Sequence, residues 1–152
     1  MSVIDAITFA ELQDSAGAEF VAELVGSFLD DAPGLLAALE GAEACVATAS
    51  GMSAIMATVM SLTKAGDHMV SATGVFGATM QLFNMFGRYG VDTTYVPLTD
   101  TEAWRKAIRP NTRMLYIESP SNPLTEIGDI AALSRIASDA GAVLVVDNCF
   151  CT

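Results

Sequence analysis

The sequence has 152 residues, of which 52% are hydrophobic and 16% charged, so one domain with a buried core is expected and global disorder is excluded. The net charge of −11 argues against nucleic acid and anionic membranes as partners, because both attract cationic surfaces. The apolar stretches are shorter than the roughly 18 residues of a membrane span, and no signal peptide opens the chain. A cytoplasmic protein is therefore expected.

The first 40 residues carry a helical pattern and no strand pattern. Apolar residues recur at helical spacing between Phe20 and Leu29. Pro33 follows Asp31, where it fits the first turn of another helix. This segment is predicted to be all helix.

After residue 40, strand-like apolar runs alternate with helical patterns. Five strands are predicted, over "ACVAT", "HMVSA", "VDTTYVPL", "RMLYIES" and "VLVVDN". Four helices are predicted between them, over "SGMSAIMATVMSLTKAGD", "ATMQLFNMFGRYG", "TEAWRKAI" and "DIAALSRIASDAG". Ser50 is the expected cap of the first of these helices, and Thr99 or Asp100 the cap of the third. Strands and helices in alternation form parallel units, so the predicted fold class is α/β with a mostly parallel sheet.

Polar and sharply turning residues follow several of the predicted strands, at the sheet edge where ligands bind in such folds. Gly51 and Met52 start a helix and would present backbone N–H groups to a phosphate, although an ordinary capped helix has the same pattern. Phe76 lies in a glycine-punctuated loop, where it either stacks on a planar ligand or packs into the core.

Two further strand ends carry candidate residues. Glu118 and Asn122 lie in a loop that is either functional or a simple turn, and Asn122 precedes Pro123, so that peptide bond can be cis. Asp147 ends a buried strand, where a carboxylate is costly unless it is paired, which favours a function. Pyridoxal phosphate offers a phosphate, a flat ring, a ring nitrogen and a ring oxygen, and would therefore satisfy all of these features.

The three cysteines and the single histidine predict no metal site. Cys45, Cys149 and Cys151 are an odd number without framework spacing, which favours reduced thiols. Cys149 and Cys151 are too close together for a zinc knuckle, and His68 offers no cluster.

Residues from about 38 to 152 closely resemble the Cys/Met-metabolism family of pyridoxal-phosphate enzymes, in stretches such as "LEGAEACVATASGMSAI", "AIRPNTRMLYIESPSNPL" and "GAVLVVDNCFCT". The resemblance implies part of a fold-type-I transferase large domain and a γ-replacement on activated homoserine, as in the sulfhydrylases of methionine biosynthesis. It also implies that the amides of Gly51 and Met52 hold the phosphate and that Phe76 stacks on the pyridine ring. Asn122 would hydrogen-bond the phenolic oxygen and Asp147 would pair with the ring nitrogen. Ser50 and Glu118 would support the site.

The chain departs from the family in its lysines. The family's Schiff-base lysine belongs to a Ser-Ala-Thr-Lys motif that would follow Thr152, whereas Lys64 and Lys106 lie in helical patterns. This chain alone is therefore expected to bind the cofactor weakly and without a covalent bond, and to lack turnover. The strand "ACVAT" would lack its family neighbours, and an open sheet edge would favour self-association.

Residues 1–39 resemble the opening helices of a histidine phosphotransfer (Hpt) domain, which places the expected domain boundary between residues 39 and 40. The phospho-accepting histidine of that domain is missing, and His68 belongs to the enzyme-like portion. Two alternatives to the enzyme fragment are therefore a signalling or interaction module without phosphotransfer and a fusion without function.

Overall fold

The computed structural model describes residues 17–39 and 41–150, and the chain divides into two compact units between Thr48 and Ala49. The first unit contains one described helix, α1 (Ala18–Leu39), with Pro33 in its interior. The prediction of a second helix starting near Pro33 is therefore wrong. A proline inside a helix removes one N–H donor and its ring crowds the carbonyl four residues earlier, but the helical pattern on both sides continues the helix through it. The Hpt resemblance and its boundary stay predictions, and residues 1–16 lie outside the described part.

The second unit alternates helices and strands. Its described helices are α2 (Gly51–Leu62), α3 (Gly77–Gly87), α4 (Thr101–Ala107) and α5 (Ile130–Asp139). Its described strands are β1 (His68–Ala72), β2 (Asp92–Val96), β3 (Thr112–Glu118) and β4 (Val143–Asp147). None of the described helices is long and apolar enough to cross a membrane.

Two of the helix starts predicted from the sequence are confirmed. The Ser50 side chain accepts a hydrogen bond from the backbone N–H of Ser53, and the Ser53 side chain accepts one from the N–H of Ser50. Asp100 accepts hydrogen bonds from the N–H groups of Glu102 and Ala103 at the start of α4. These side chains satisfy donors that a helix start otherwise leaves unpaired, which fixes where each helix begins.

The four strands form one parallel sheet in the order β2-β1-β3-β4. This arrangement confirms the predicted α/β fold class with a parallel sheet. Because all the strands are parallel, their carboxyl ends lie at one edge of the sheet. Glu118 at the end of β3 is in register with Asp147 at the end of β4.

The predicted fifth strand is not present. Residues 44–48 contain no strand, and Val46 is 85% exposed. The apolar run fits a strand, but a strand needs a hydrogen-bonded neighbour, and residues 44–48 pair with none of the described strands. The sheet that the structure describes therefore has four strands.

The core lies against the two central strands, whose apolar side chains are buried almost completely. Met69 and Val70 of β1 and Leu115 and Ile117 of β3 are all fully buried. At the amino end of β1, His68 is also fully buried and hydrogen-bonded, through Nδ1 to the hydroxyl of Thr112 and through Nε2 to that of Thr94. His68 is thus a core residue at the sheet edge opposite the carboxyl ends.

Candidate functional site

The carboxyl ends of the strands border a cavity of about 390 Å³, within the usual range for small-molecule sites. All seven residues that the sequence predicts as cofactor-binding or supporting line this cavity, together with three others. The lining residues are Ser50, Gly51, Met52, Ile55, Phe76, Thr79, Glu118, Asn122, Asp147 and Cys149. The fold therefore brings together residues that are up to 99 positions apart in the sequence, from Ser50 to Cys149.

The start of α2 forms one side of the cavity. Gly51 and Met52 are its first two residues, so their backbone N–H groups have no acceptor within the helix. A Cβ atom placed on Gly51 would meet nothing within 4 Å, so no protein atom crowds the backbone there. The helix N-terminus carries a partial positive charge, and this side of the cavity therefore favours an anion.

Phe76 and Glu118 are joined by a hydrogen bond across the cavity wall. The backbone N–H of Phe76 donates to Oε2 of Glu118 at 2.6 Å, which fixes the loop that leads into α3. The Phe76 side chain is 49% exposed, so core packing is excluded as its role. Burial raises the pKa of Glu118; the hydrogen bond from Phe76 lowers it in part, and the nearby charge of Asp147 raises it.

Two buried polar atoms at the cavity have no hydrogen-bond partner among the described residues. They are Oε1 of Glu118, a residue that is 1% exposed, and Oγ1 of Thr79, which is fully buried. Buried polar atoms are rarely left unpaired in native proteins, so these two atoms fit a cavity that receives a polar ligand. Sequence reasoning missed Thr79, although a threonine in the first turn after a glycine-punctuated loop is a usable signal.

The loop after β3 holds Asn122 at the cavity. Ser121 donates its N–H to the carbonyl of Glu126 at 2.9 Å, and its hydroxyl accepts from the N–H of Glu126 at 3.0 Å. The Ser119 hydroxyl accepts from the N–H of Gly128 at 3.1 Å. The peptide bond between Asn122 and Pro123 is cis, as the sequence allows. The three hydrogen bonds connect the two ends of the loop, from Ser119 and Ser121 to Glu126 and Gly128.

Asp147 accepts hydrogen bonds from two neighbours in the described part of the chain. The hydroxyl of Tyr116 donates to Oδ2 at 2.8 Å, and the backbone N–H of Cys149 donates to Oδ1 at 3.3 Å. Burial raises the pKa of Tyr116, and the charge and hydrogen bond of Asp147 raise it further, so the phenol keeps its proton. Sequence reasoning missed Tyr116 because a tyrosine inside an apolar strand looks like a core residue.

A second cavity of about 300 Å³ shares Gly51, Ile55, Asp147 and Cys149 with the first and is also lined by Tyr116. Asp147 therefore borders both spaces. Neither lysine lines either of them. Lys64 borders a separate apolar cavity and Lys106 lies on α4.

The parallel sheet with ligand-sized space at its carboxyl ends has the fold of pyridoxal-phosphate-dependent transferases. It superimposes on the structure of O-acetylhomoserine sulfhydrylase of Wolinella succinogenes with a TM-score of 0.76 and 33% identity, over 79% of this chain and 34% of that one. It also matches the crystal structure of metB from Corynebacterium glutamicum, with a TM-score of 0.72 and 38% identity over 74% of this chain and 29% of that one.

The particular family follows from the sequence match. The model of the Cys/Met metabolism PLP-dependent enzymes matches residues 30–152, and the chain belongs to this family. Its sequence is 58% identical to O-succinylhomoserine sulfhydrylase of Pseudomonas aeruginosa over 118 residues, which is 77% of this chain and 29% of that protein. It is 44% identical to cystathionine gamma-lyase of Bacillus subtilis over 119 residues, which is 78% of this chain and 31% of that protein.

The chain thus spans about three tenths of the length of these two curated relatives. The family implies pyridoxal phosphate as its cofactor. The donor set fits that group: a helix N-terminus for a phosphate, an exposed aromatic ring, a strand-end carboxylate and two unpaired buried polar atoms surround one cavity. The role of each residue toward the cofactor stays a prediction.

Proposed function

We propose that this chain forms the cofactor-binding part of a pyridoxal-phosphate enzyme that replaces a group at the γ-carbon of an activated homoserine. The observation that supports this most is the single cavity lined by the start of α2, Phe76, Asn122 and Asp147. The similarity to sulfhydrylases favours a sulfur nucleophile over other nucleophiles.

Each residue has one task in this proposal. The backbone N–H groups of Gly51 and Met52 bind the phosphate at the positive end of α2. Phe76 covers one face of the flat ring, and Asn122 donates a hydrogen bond to the phenolic oxygen. Asp147 pairs with the protonated ring nitrogen. When bound, pyridoxal phosphate supplies an electron sink for the amino-acid substrate, and the carboxylate of Asp147 favours the cationic ring that this chemistry needs.

Glu118 positions the ring-covering loop. Its Oε2 atom accepts the hydrogen bond from the backbone of Phe76, while Ser50 fixes the first turn of α2. These two residues act on the site through the backbone and side chains that they hold, and neither needs to touch the cofactor.

The positions of the two lysines support non-covalent binding. A covalent link to the cofactor needs an amine inside the cavity. Lys64 and Lys106 are not among the residues that line it. The chain alone is therefore expected to hold the cofactor reversibly and to have no turnover.

The test is a titration of the chain with pyridoxal phosphate, followed by the absorbance of the cofactor and the quenching of Trp104 fluorescence. We expect saturable binding that inorganic phosphate weakens and that Asp147→Asn reduces. Borohydride treatment should leave no adduct on Lys64 or Lys106, and Lys64→Ala is a matched control that should bind as the parent does. A folded chain with no saturable binding would refute the proposal.

A further inference from the structure

We propose that Tyr116 is the positioning residue of Asp147: it holds the carboxylate in the one orientation that meets a cationic ring nitrogen in the cavity. The inference rests on the function proposed above and assigns a task to a residue that lies behind the main cavity. Its basis is the hydrogen bond from the Tyr116 hydroxyl to Oδ2 of Asp147 at 2.8 Å.

Tyr116 itself is held rigidly. It lies in the central strand β3, is 1% exposed, and packs edge-to-face on Phe83 with ring centroids 4.9 Å apart and an interplanar angle of 82°. Phe83 of α3 is fully buried in the same core. A phenol fixed by two rigid elements directs its hydroxyl to one place, so its partner is also restricted to one orientation.

Asp147 needs such a restraint because no cation supplies one. Among the described residues, no lysine, arginine or histidine forms an ion pair with Asp147. Its carboxylate is oriented instead by the Tyr116 hydroxyl at Oδ2 and, at 3.3 Å, by the N–H of Cys149 at Oδ1. The hydrogen bond from the phenol, at 2.8 Å, is the shorter of the two, and its donor lies in the core.

The two hydrogen bonds leave room for a ligand. An ionised carboxylate has about four acceptor positions, so two remain after Tyr116 and Cys149 have donated. Both donors occupy acceptor positions of the Asp147 carboxylate, and the raised pKa of Tyr116 keeps the phenol a donor. Tyr116 thus prepares Asp147 to accept a third N–H donor from the space that Asp147 also borders.

A purely structural role would predict something different. A buried tyrosine hydroxyl needs a partner wherever it lies, and Asp147 would then only satisfy Tyr116. In that case the side-chain orientation of Asp147 would not depend on the phenol, and the affinity for the cofactor would be unchanged without it.

The experiment compares Tyr116→Phe with Tyr95→Phe. The first variant keeps the ring that packs on Phe83 and removes the hydroxyl. The second removes a phenol that donates to Oδ1 of Asn84 at 3.0 Å and lines neither cavity. The χ1 rotamer of Asp147 is measured in the chain without cofactor, from its three-bond NMR couplings. The dissociation constant of pyridoxal phosphate and the chemical shift of its isotope-labelled ring nitrogen are then measured.

We expect Asp147 to occupy one χ1 rotamer in the parent chain and in Tyr95→Phe, and to average over several in Tyr116→Phe. We also expect Tyr116→Phe to weaken cofactor binding about tenfold, as for the loss of a hydrogen bond to a charged group, and to shift the ring nitrogen toward its unprotonated signal. A single unchanged rotamer with unchanged affinity in Tyr116→Phe would overturn the inference.

The readout without cofactor separates the two proposals. If Asp147 averages over rotamers only in Tyr116→Phe, Tyr116 positions Asp147, even where the parent chain binds no cofactor. A parent chain that binds no cofactor refutes only the function proposed above. If Tyr116→Phe does not fold, Asp147→Asn replaces it, because neutralising the acceptor should move the Cζ resonance of Tyr116. An unmoved Cζ resonance would overturn the inference.

Discussion

His68 makes the stability of the second unit depend on pH between neutral and moderately acidic solution. Its ring nitrogens lie 2.7 Å from Oγ1 of Thr112 and 2.9 Å from Oγ1 of Thr94. The pKa of His68 is lowered from 6.5 to about 4, mainly by burial and also by the charge of Arg109, while the charge of Asp92 opposes the shift. A proton on the ring would have to enter the core, where an imidazolium is poorly solvated.

The lowered pKa fixes the sign and the size of the effect. Above pH 6.5 both the folded and the unfolded chain hold neutral His68, and the contribution of this residue to stability is complete. As the pH falls toward the folded value of about 4, the unfolded chain binds a proton that the folded chain does not, so stability falls. Between about pH 8 and about pH 5 the linkage relation gives a loss of about 2 kcal/mol.

The assay is urea unfolding of the parent chain and of His68→Asn at both pH values. The variant has no titrating group at this position, so we expect the parent to lose about 2 kcal/mol more than the variant between the two pH values. Comparing the two chains removes the contribution of the carboxylates, which is common to both. Equal losses in the two chains would show that His68 is not a neutral core residue.

Three further predictions concern a cap, a buried acid and the core. Ser50→Ala removes the cap of α2 and should lower the free energy of unfolding by about 1 kcal/mol. Ser61→Ala, a matched change late in the same helix, should lower it less, and equal losses in the two variants would argue against the cap. Burial raises the pKa of Glu118, so the free energy of unfolding of the parent, relative to that of Glu118→Gln, should rise as the pH falls. This difference should be lost as the pH rises through the folded pKa, and urea midpoints of the two chains that move in parallel with pH would contradict the prediction. Trp104→Ala removes a fully buried ring and should lower the free energy of unfolding by about 3 to 5 kcal/mol, and thermal unfolding close to that of the parent would contradict its place in the core.

Local features of the sequence were sufficient for much of the fold. Ser50 and Asp100 act on donors within three residues of themselves, so the sequence carries the whole signal for these two helix starts. The apolar runs also locate β1 to β4 well. The run "ACVAT" failed because it has the composition of a strand, but strand formation depends on a neighbour that composition does not encode.

The residues of the candidate site could be predicted where they lie in turn, loop or strand-end motifs of the sequence. The other residues of the site could not. Gly51, Phe76 and Asp147 stand out because the sequence pattern places each of them at a turn, in a loop or at the end of a predicted strand. Thr79 and Tyr116 stand out only in three dimensions: one has an unpaired hydroxyl at the cavity, and the other reaches a strand that lies 31 residues away in sequence. Such roles depend on neighbours from other elements, which no local pattern shows.

The position of β4 at the border of the sheet has a consequence for how firmly Asp147 is held. Among the described strands, β4 is hydrogen-bonded on one side only, to β3, whereas β1 and β3 are bonded on both sides. Its backbone therefore opens at a smaller free-energy cost, and amide hydrogens in β4 should exchange with solvent sooner than those in β3. Any segment that pairs with the outer side of β4 would slow this opening and steady the carboxylate. Contacts along that side of β4 can therefore affect Asp147 without touching the cavity.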